Sequence, residues 1–305
     1  MQNIIFGPIH SRRFGISLGI DLSPQKKQCN FDCLYCELGG AKSGGEMQEV
    51  LEVESILTPL REVLKSNPKL DVITLSANGE PTLYPHLYEL ITQIKQEIKG
   101  KYKTLILSNG SLFGKSEVQR ALREFDIVKF SFDCFSPQIF RKLDRPFKEL
   151  DLEQIKKGIL EFAKDYQGEL VAEVLVIKNL NDSDEEIAKI AEFLSEVKVA
   201  RVDLGTLDRP PAYAIEGVSA DKLHNLAKHF EGQCVSIPTR KEMHLENRAK
   251  LESKEDVLEL LKKRPISVQE FSHLFEGIEI CEEMLKNDEI MIKKVANMEF
   301  FAPKS

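Results

Sequence analysis

The period of apolar and polar positions changes along the chain, and the changes mark its elements. Gly15-Ile-Ser-Leu-Gly-Ile-Asp-Leu22 alternates with a period of two and reads as a first strand. Residues 54–66 set Ile56, Leu57, Leu60, Val63 and Leu64 at helical spacing, which predicts the first helix. Strand patterns then fall at 72–75, 104–107, 127–132, 170–177 and 202–205, with helices predicted at 85–98, 115–123 and from Ser219 to about 230. Ser136-Pro137 reads as an N-cap followed by Pro at the first helical position, and Asp151 and Ser183 open further helices in capping fashion. Strands regularly spaced between helices predict parallel βαβ units. Six of them predict an α/β fold, a partial (β/α)6 TIM-like barrel over residues 1–245.

Near residue 245 the pattern changes. Ser253-Lys-Glu-Asp256 and Ser267-Val-Gln-Glu270 are capping boxes either side of Pro265, a third helix is predicted at 278–287, and short strands at 289–293 and 298–301 close the chain. This order predicts a small winged-helix-like domain over 250–305. Such modules often bind DNA, but these residues carry nine Lys plus Arg against twelve Asp plus Glu. That is the wrong sign for a phosphate reader, so contact with a protein or a role in shaping the substrate site is expected, with no duplex DNA.

Composition narrows the class further. The chain has 305 residues and a net charge of -7, which excludes coating nucleic acid by charge alone. No stretch has the apolar length of a membrane span, and the first residues lack the features of a signal peptide. A cytoplasmic location is therefore expected, where thiols stay reduced and free to hold metal.

Half of the six cysteines lie in Cys29-Asn-Phe-Asp-Cys33-Leu-Tyr-Cys36. Three thiolates on one short loop can hold a 4Fe-4S cluster and leave one iron without a protein ligand, open to a small molecule. A zinc knot completed by Cys134, Cys234, Cys281 or a His is the alternative, although zinc sites usually use paired C-x2-C units and no second unit exists here. Cys134, Cys234 and Cys281 stand singly and read as small buried core residues.

Polar groups follow three successive predicted strands. Ser76-Ala-Asn78-Gly79-Glu80-Pro81-Thr82 comes after the second strand, Ser108-Asn109-Gly110 after the third, and Asp133 after the fourth. A parallel α/β fold puts its chemistry at these strand ends. Gly79 permits close backbone approach, Glu80 can accept from a ligand ammonium group, and Asp133 suits a ribose hydroxyl pair. Arg12, Arg13, Lys26 and Lys27 flank the cysteine loop in sequence closely enough to form a local phosphate site.

The C-x3-C-x2-C loop with Tyr35 before its last cysteine resembles the signature of the radical S-adenosylmethionine superfamily. Gly7-Pro-Ile-His-Ser-Arg-Arg-Phe-Gly-Ile-Ser-Leu-Gly-Ile-Asp21, Cys36-Glu-Leu-Gly39, Ala77-Asn-Gly-Glu-Pro-Thr82, Ser108-Asn-Gly-Ser111 and Leu207-Asp-Arg-Pro-Pro211 are similar to the wyosine-synthase-like (tRNA-imidazoguanosine synthetase-related) branch. The resemblance implies that Cys29, Cys33 and Cys36 hold a 4Fe-4S cluster. It further implies that Tyr35, Asn78, Gly79, Glu80, Ser108, Asn109 and Asp133 surround S-adenosylmethionine. The implied activity is reductive cleavage to methionine and a 5'-deoxyadenosyl radical, fed by a donor such as flavodoxin or ferredoxin. The substrate is left open between an RNA base in tRNA and a small molecule. Enzymes of that branch carry a second cluster on upstream cysteines, and no cysteine precedes Cys29. The reading from another class is a non-catalytic iron-sulfur or zinc protein with a sensory or protein-interaction role.

Overall fold

The computed structural model describes residues 4–11, 13–237, 249–250, 253–263, 265–295 and 298–304. Strand β1 (Ile5–Ser11) leads into β2 (Gly15–Asp21), which is followed by α1 (Val53–Lys65), β3 (Val72–Ser76), α2 (Leu87–Ile98) and β4 (Lys103–Ser108). Then come α3 (Ser116–Leu122), β5 (Ile127–Ser131), α4 (Pro137–Leu143), α5 (Leu152–Asp165), β6 (Glu169–Val176), α6 (Asp184–Val197), β7 (Arg201–Thr206), α7 (Ala220–Ala227) and the short β8 (Val235–Ser236). All eight strands form one sheet in sequence order, with β1 antiparallel to β2 and every later pair parallel. Units β2α1 to β7α7 make the expected six β/α repeats. The two end strands do not pair, so the barrel is partial.

Strand β1 was not anticipated from the pattern. Its Gly7-Pro8 reads as a turn, yet proline is tolerated at a sheet edge, and the register shifts between Phe6 and Ile9 where the dipeptide sits. Elsewhere the local signals act as expected. Asp151 accepts from Gln154 N at 3.1 Å and Ser183 from Glu186 N at 3.2 Å, each capping its helix. Ser136 precedes Pro137 as predicted, but its hydroxyl bonds the Glu186 carboxylate of α6 instead of capping α4.

Alternation along the strands sorts two cores. Leu18, Ile20, Ile73, Leu75, Ile106, Val128, Phe130 and Val174 face the helices in the main apolar cluster. The opposite faces of β3 to β6 supply Val72, Leu105, Ile127 and Val171, which pack with Phe14 as a small plug inside the barrel. Beyond the plug, Leu107 continues the inward face of β4 and is 38% exposed, so the barrel interior is open on that side.

Lys129, Glu173, Arg201 and Asp203 share the inward faces of β5, β6 and β7, and Arg13 joins them. Arg13 reaches Glu173 at 3.0 Å and Asp203 at 3.2 Å; Lys129 reaches the same two carboxylates at 2.6 and 3.2 Å; Arg201 reaches Asp203 at 2.8 Å. This corrects the expected role of Arg13 as part of a phosphate site beside the cysteines. Its guanidinium is drawn into the barrel because the fully buried Asp203, with the half-buried Glu173 beside it, needs counter-charges. Arg12 lies outside the described residues.

The C-terminal elements are β9 (Ala249–Lys250), α8 (Lys254–Lys263), β10 (Ile266–Ser267), α9 (Val268–Leu274), β11 (Phe275–Glu276), α10 (Ile278–Lys286), β12 (Ile290–Val295) and β13 (Met298–Pro303). Helix α8 opens on the predicted capping box, with Asp256 N bonded to Ser253 Oγ and Ser253 N to Asp256 Oδ2, both at 3.1 Å. A three-stranded sheet in the order β10-β13-β12 covers a separate core of Val257, Leu261, Phe271, Cys281, Met284 and Phe301. The boundary expected at 245 lies outside the described residues. No helix among those residues is long and apolar enough to cross a membrane.

Candidate active site

The connection after β2 carries Cys29, Cys33 and Cys36 to the C-terminal rim of the sheet, where neighbouring connections fasten it. Gln28 N bonds Asn78 O at 2.8 Å, and Glu80 N bonds Gln28 O at 3.0 Å, a bridge between the cysteine loop and the turn after β3. Gly79 has φ +141°, and a Cβ there would lie 1.8 Å from Gln28 O. Glycine is therefore required, but the backbone that approaches it belongs to the cysteine loop itself.

Glu80 is 1% exposed, and its carboxylate accepts from Thr82 N, Thr82 Oγ1, Ser108 Oγ and Asn109 N at 2.6 to 2.9 Å. With both oxygens engaged, Glu80 staples the turn after β3 to the turn after β4. Burial raises its pKa while the bonds from Thr82, Asn109 and Ser108 oppose the shift. From the second turn, Asn109 Nδ2 reaches Asn30 Oδ1 at 2.8 Å and lies 3.9 Å from Cys29 Sγ. Replacing Glu80 with Ala should weaken S-adenosylmethionine binding by about 1.5 to 3 kcal/mol through loss of this staple. Equilibrium binding measures the effect, with bound iron as the control, and an unchanged affinity would separate the turns from the cofactor.

Asp133 is also turned inward. Its Oδ2 accepts from Tyr35 OH at 2.5 Å and its Oδ1 from Leu175 N at 2.6 Å, at 4% exposure. Both oxygens accept from the chain, so the side chain ties Tyr35 to β6. Asp144, unmarked by any sequence signal, completes the network: Cys134 Sγ donates to it at 3.1 Å and Tyr35 OH lies 3.3 Å away. Burial raises Asp144 to about 6 and lifts Tyr35 well above an ordinary phenol.

The outer side of the cysteine loop is held by residues to which the sequence assigned no role. Asp32, between two cysteines, accepts from Tyr213 OH at 2.6 Å and Ala41 N at 3.2 Å and pairs with Arg145 at 3.2 Å. Arg209 pairs with Glu37 at 3.0 Å, and Ala212 N bonds Cys36 O at 2.8 Å. The segment after β7 thus lies across the loop. Lys26 and Lys27 do not form the expected phosphate site: Lys26 pairs with Glu49 at 2.6 Å, and Lys27 is buried beside Asp32 and the carbonyl of Gly39.

The donor set suits a metal cluster. Burial pushes Cys29 up to about 12 and Cys33 well above an ordinary thiol. These thiols stay protonated until a cation compensates the thiolates, so binding iron must displace their protons. The charge of Cys36 adds to the shift of Cys29, and those of Cys29 and Cys36 add to the shift of Cys33. No group of three or more His, Cys, Asp or Glu among the described residues is arranged to hold a single metal ion. Asn78 Oδ1 is buried in the adjoining turn with no hydrogen-bond partner, an acceptor available to a ligand ammonium group. The other cysteines divide: Cys134 and Cys281 are buried as expected, but Cys234, just before the edge strand β8, is exposed.

Residues 27–194, more than half of the chain, match the Radical SAM superfamily. The chain belongs to the radical SAM superfamily. This radical SAM protein is 48% identical over 303 residues, 98% of its length and 97% of the other, to a UPF0026 protein of Helicobacter pylori (strain ATCC 700392 / 26695). Its fold is similar to the crystal structure of a radical SAM methyltransferase from Sphaerobacter thermophilus, with a TM-score of 0.55 at 13% identity over 72% of this chain and 65% of that one. The crystal structure of archaeal TYW1 lies at a TM-score of 0.47 and 18% identity over 76% of this chain and 80% of that one, too low to decide between branches. Superfamily membership makes this protein an enzyme, and the cofactors of the superfamily are a 4Fe-4S cluster and S-adenosylmethionine.

Proposed function

We propose that Cys29, Cys33 and Cys36 hold one 4Fe-4S cluster and that the turns at Asn78–Glu80 and Ser108–Asn109 form the wall of the S-adenosylmethionine site. The observation that carries this reading is the stapling of the cysteine loop to both turns, through the Gln28–Gly79 bridge and the Asn109–Asn30 bond. When bound, the reduced cluster supplies the electron that cleaves S-adenosylmethionine to methionine and a 5'-deoxyadenosyl radical. The chain's residues position the parts. Asn78 Oδ1 accepts from the methionine ammonium, Glu80 keeps the two turns in register, and Tyr35, fixed by Asp133, packs beside the last cysteine. The partial barrel shields the reacting centre from water and competing hydrogen donors.

The substrate is a small molecule held in the open interior that Leu107 borders. Arg13 is committed inside the barrel and Lys26 and Lys27 to neighbouring groups, which weakens the case for these three as contacts to tRNA phosphates. Anaerobic reconstitution with iron, sulfide, dithionite and S-adenosylmethionine should yield methionine and 5'-deoxyadenosine in equal amounts. Cofactor left intact by a fully loaded, reduced protein would overturn the proposal. Filter binding of bulk tRNA checks the substrate class: retention at low salt that falls steeply as salt rises would return RNA to the front.

A further inference from the structure

A basic groove of about 610 Å³ lies against the cysteine loop. Its walls include the cations Lys42, Arg141, Arg145 and Lys148 with Phe147, against two carboxylates, Asp32 of the loop and Asp151. The chain from 143 to 147 is hydrogen-bonded along that loop: Leu34 N to Leu143 O at 2.9 Å, Asp32 N to Asp144 O at 3.1 Å, and Phe147 N to Asn30 O at 2.7 Å. One wall of the groove is therefore continuous, bond by bond, with the segment that bears Cys29 and Cys33.

The charge of the groove runs against that of the molecule. Net charge is -7, yet Lys42, Arg141 and Lys148 are exposed on its walls, and none makes an ion pair with another described residue. Arg145 is the exception, tied to Asp32 and stacked on Tyr213 at 4.8 Å. Unpaired cations in an acidic protein are a steering device for an acidic partner. The partly exposed Phe147 and Leu150 add apolar contact beside them.

We propose that this groove docks an acidic one-electron carrier protein, which delivers the electron to the cluster through the 30–34 loop. The inference rests on the cluster reading above. The carrier's reduced flavin or iron-sulfur centre loses one electron and the cluster gains it, with no atoms transferred. An acidic carrier is favoured over RNA because the groove adjoins the thiol loop itself, where an electron must arrive.

The test uses the reconstituted holoenzyme and reduced flavodoxin as the probe. The triple variant Lys42→Glu, Arg141→Glu and Lys148→Glu should retain wild-type iron and be reduced by dithionite at the wild-type rate. Its reduction by flavodoxin should slow by about tenfold or more at low salt, and added salt should shrink the difference. Equal flavodoxin rates in variant and wild type overturn the docking proposal. Failure of dithionite to reduce the wild type strikes instead at the cluster reading. If the variant loses retention of bulk tRNA while its flavodoxin rate stays unchanged, the groove belongs to RNA and the proposal fails. Replacing only Arg141 and Lys148 by Gln, a milder change, should give a smaller slowing in the same direction and guards against misfolding of the triple variant.

Discussion

Cys33→Ala should bring bound iron from roughly four per chain to below one after anaerobic reconstitution, with Cys29→Ala and Cys36→Ala behaving alike. Three thiolates are the whole protein ligation proposed for the cluster. Removing one leaves too few to retain it against competing thiols in solution. Cys134→Ala and Cys281→Ala should keep near wild-type iron and sulfide. Cys281 belongs to the C-terminal core, and the Cys134 thiol is spent on Asp144. Cys234→Ala should also be neutral, because that residue is exposed ahead of β8. Iron and sulfide analysis of each variant decides the matter, and near-normal content in Cys33→Ala would remove the assignment.

Asp203→Ala should destabilise the barrel by about 3 to 5 kcal/mol, measured by urea unfolding of the metal-free protein. Asp203 is fully buried and faces Arg13, Lys129 and Arg201 within 3.2 Å. Only Glu173 would remain to balance Arg13 and Lys129, and Arg201 would keep only its longer 3.6 Å contact with Glu169. Truncation leaves buried positive charge without compensation, which costs far more than the pair contributes when intact. A loss below about 1 kcal/mol would mean that water reaches the cluster of charges freely and screens it. Lys129→Met in the Asp203→Ala background should recover part of the loss, because it removes one of the unbalanced cations. That recovery separates charge imbalance from a packing defect.

Much of the molecule could be read locally. Period-two and period-3.6 patterns report which face of an element is apolar, and that property survives in the folded chain because burial is what orders the elements. Hence the six β/α repeats, the position of the cysteine loop after the first parallel strand, and the winged-helix-like order at the C-terminus were all legible. Strand β1 escaped because Gly7-Pro8 carries a turn signal that an edge position tolerates.

Charge and hydrogen-bond partners were a different matter. Arg13 looked like a neighbour of Lys26 and Lys27, yet it pairs with Glu173, 160 positions away. Glu80 and Asp133 looked like ligand contacts because they follow strand ends. In the fold each is also held by donors of the chain, since a carboxylate buried at a rim must find donors and backbone N–H groups are nearest. Asp32, Asp144, Arg145 and Tyr213 carried no periodic signal at all. By itself the sequence determined the order of elements, the thiol loop and the rim on which it sits. Only the tertiary structure decided which polar groups meet there, because long polar side chains choose partners by distance and burial after the strands have come together.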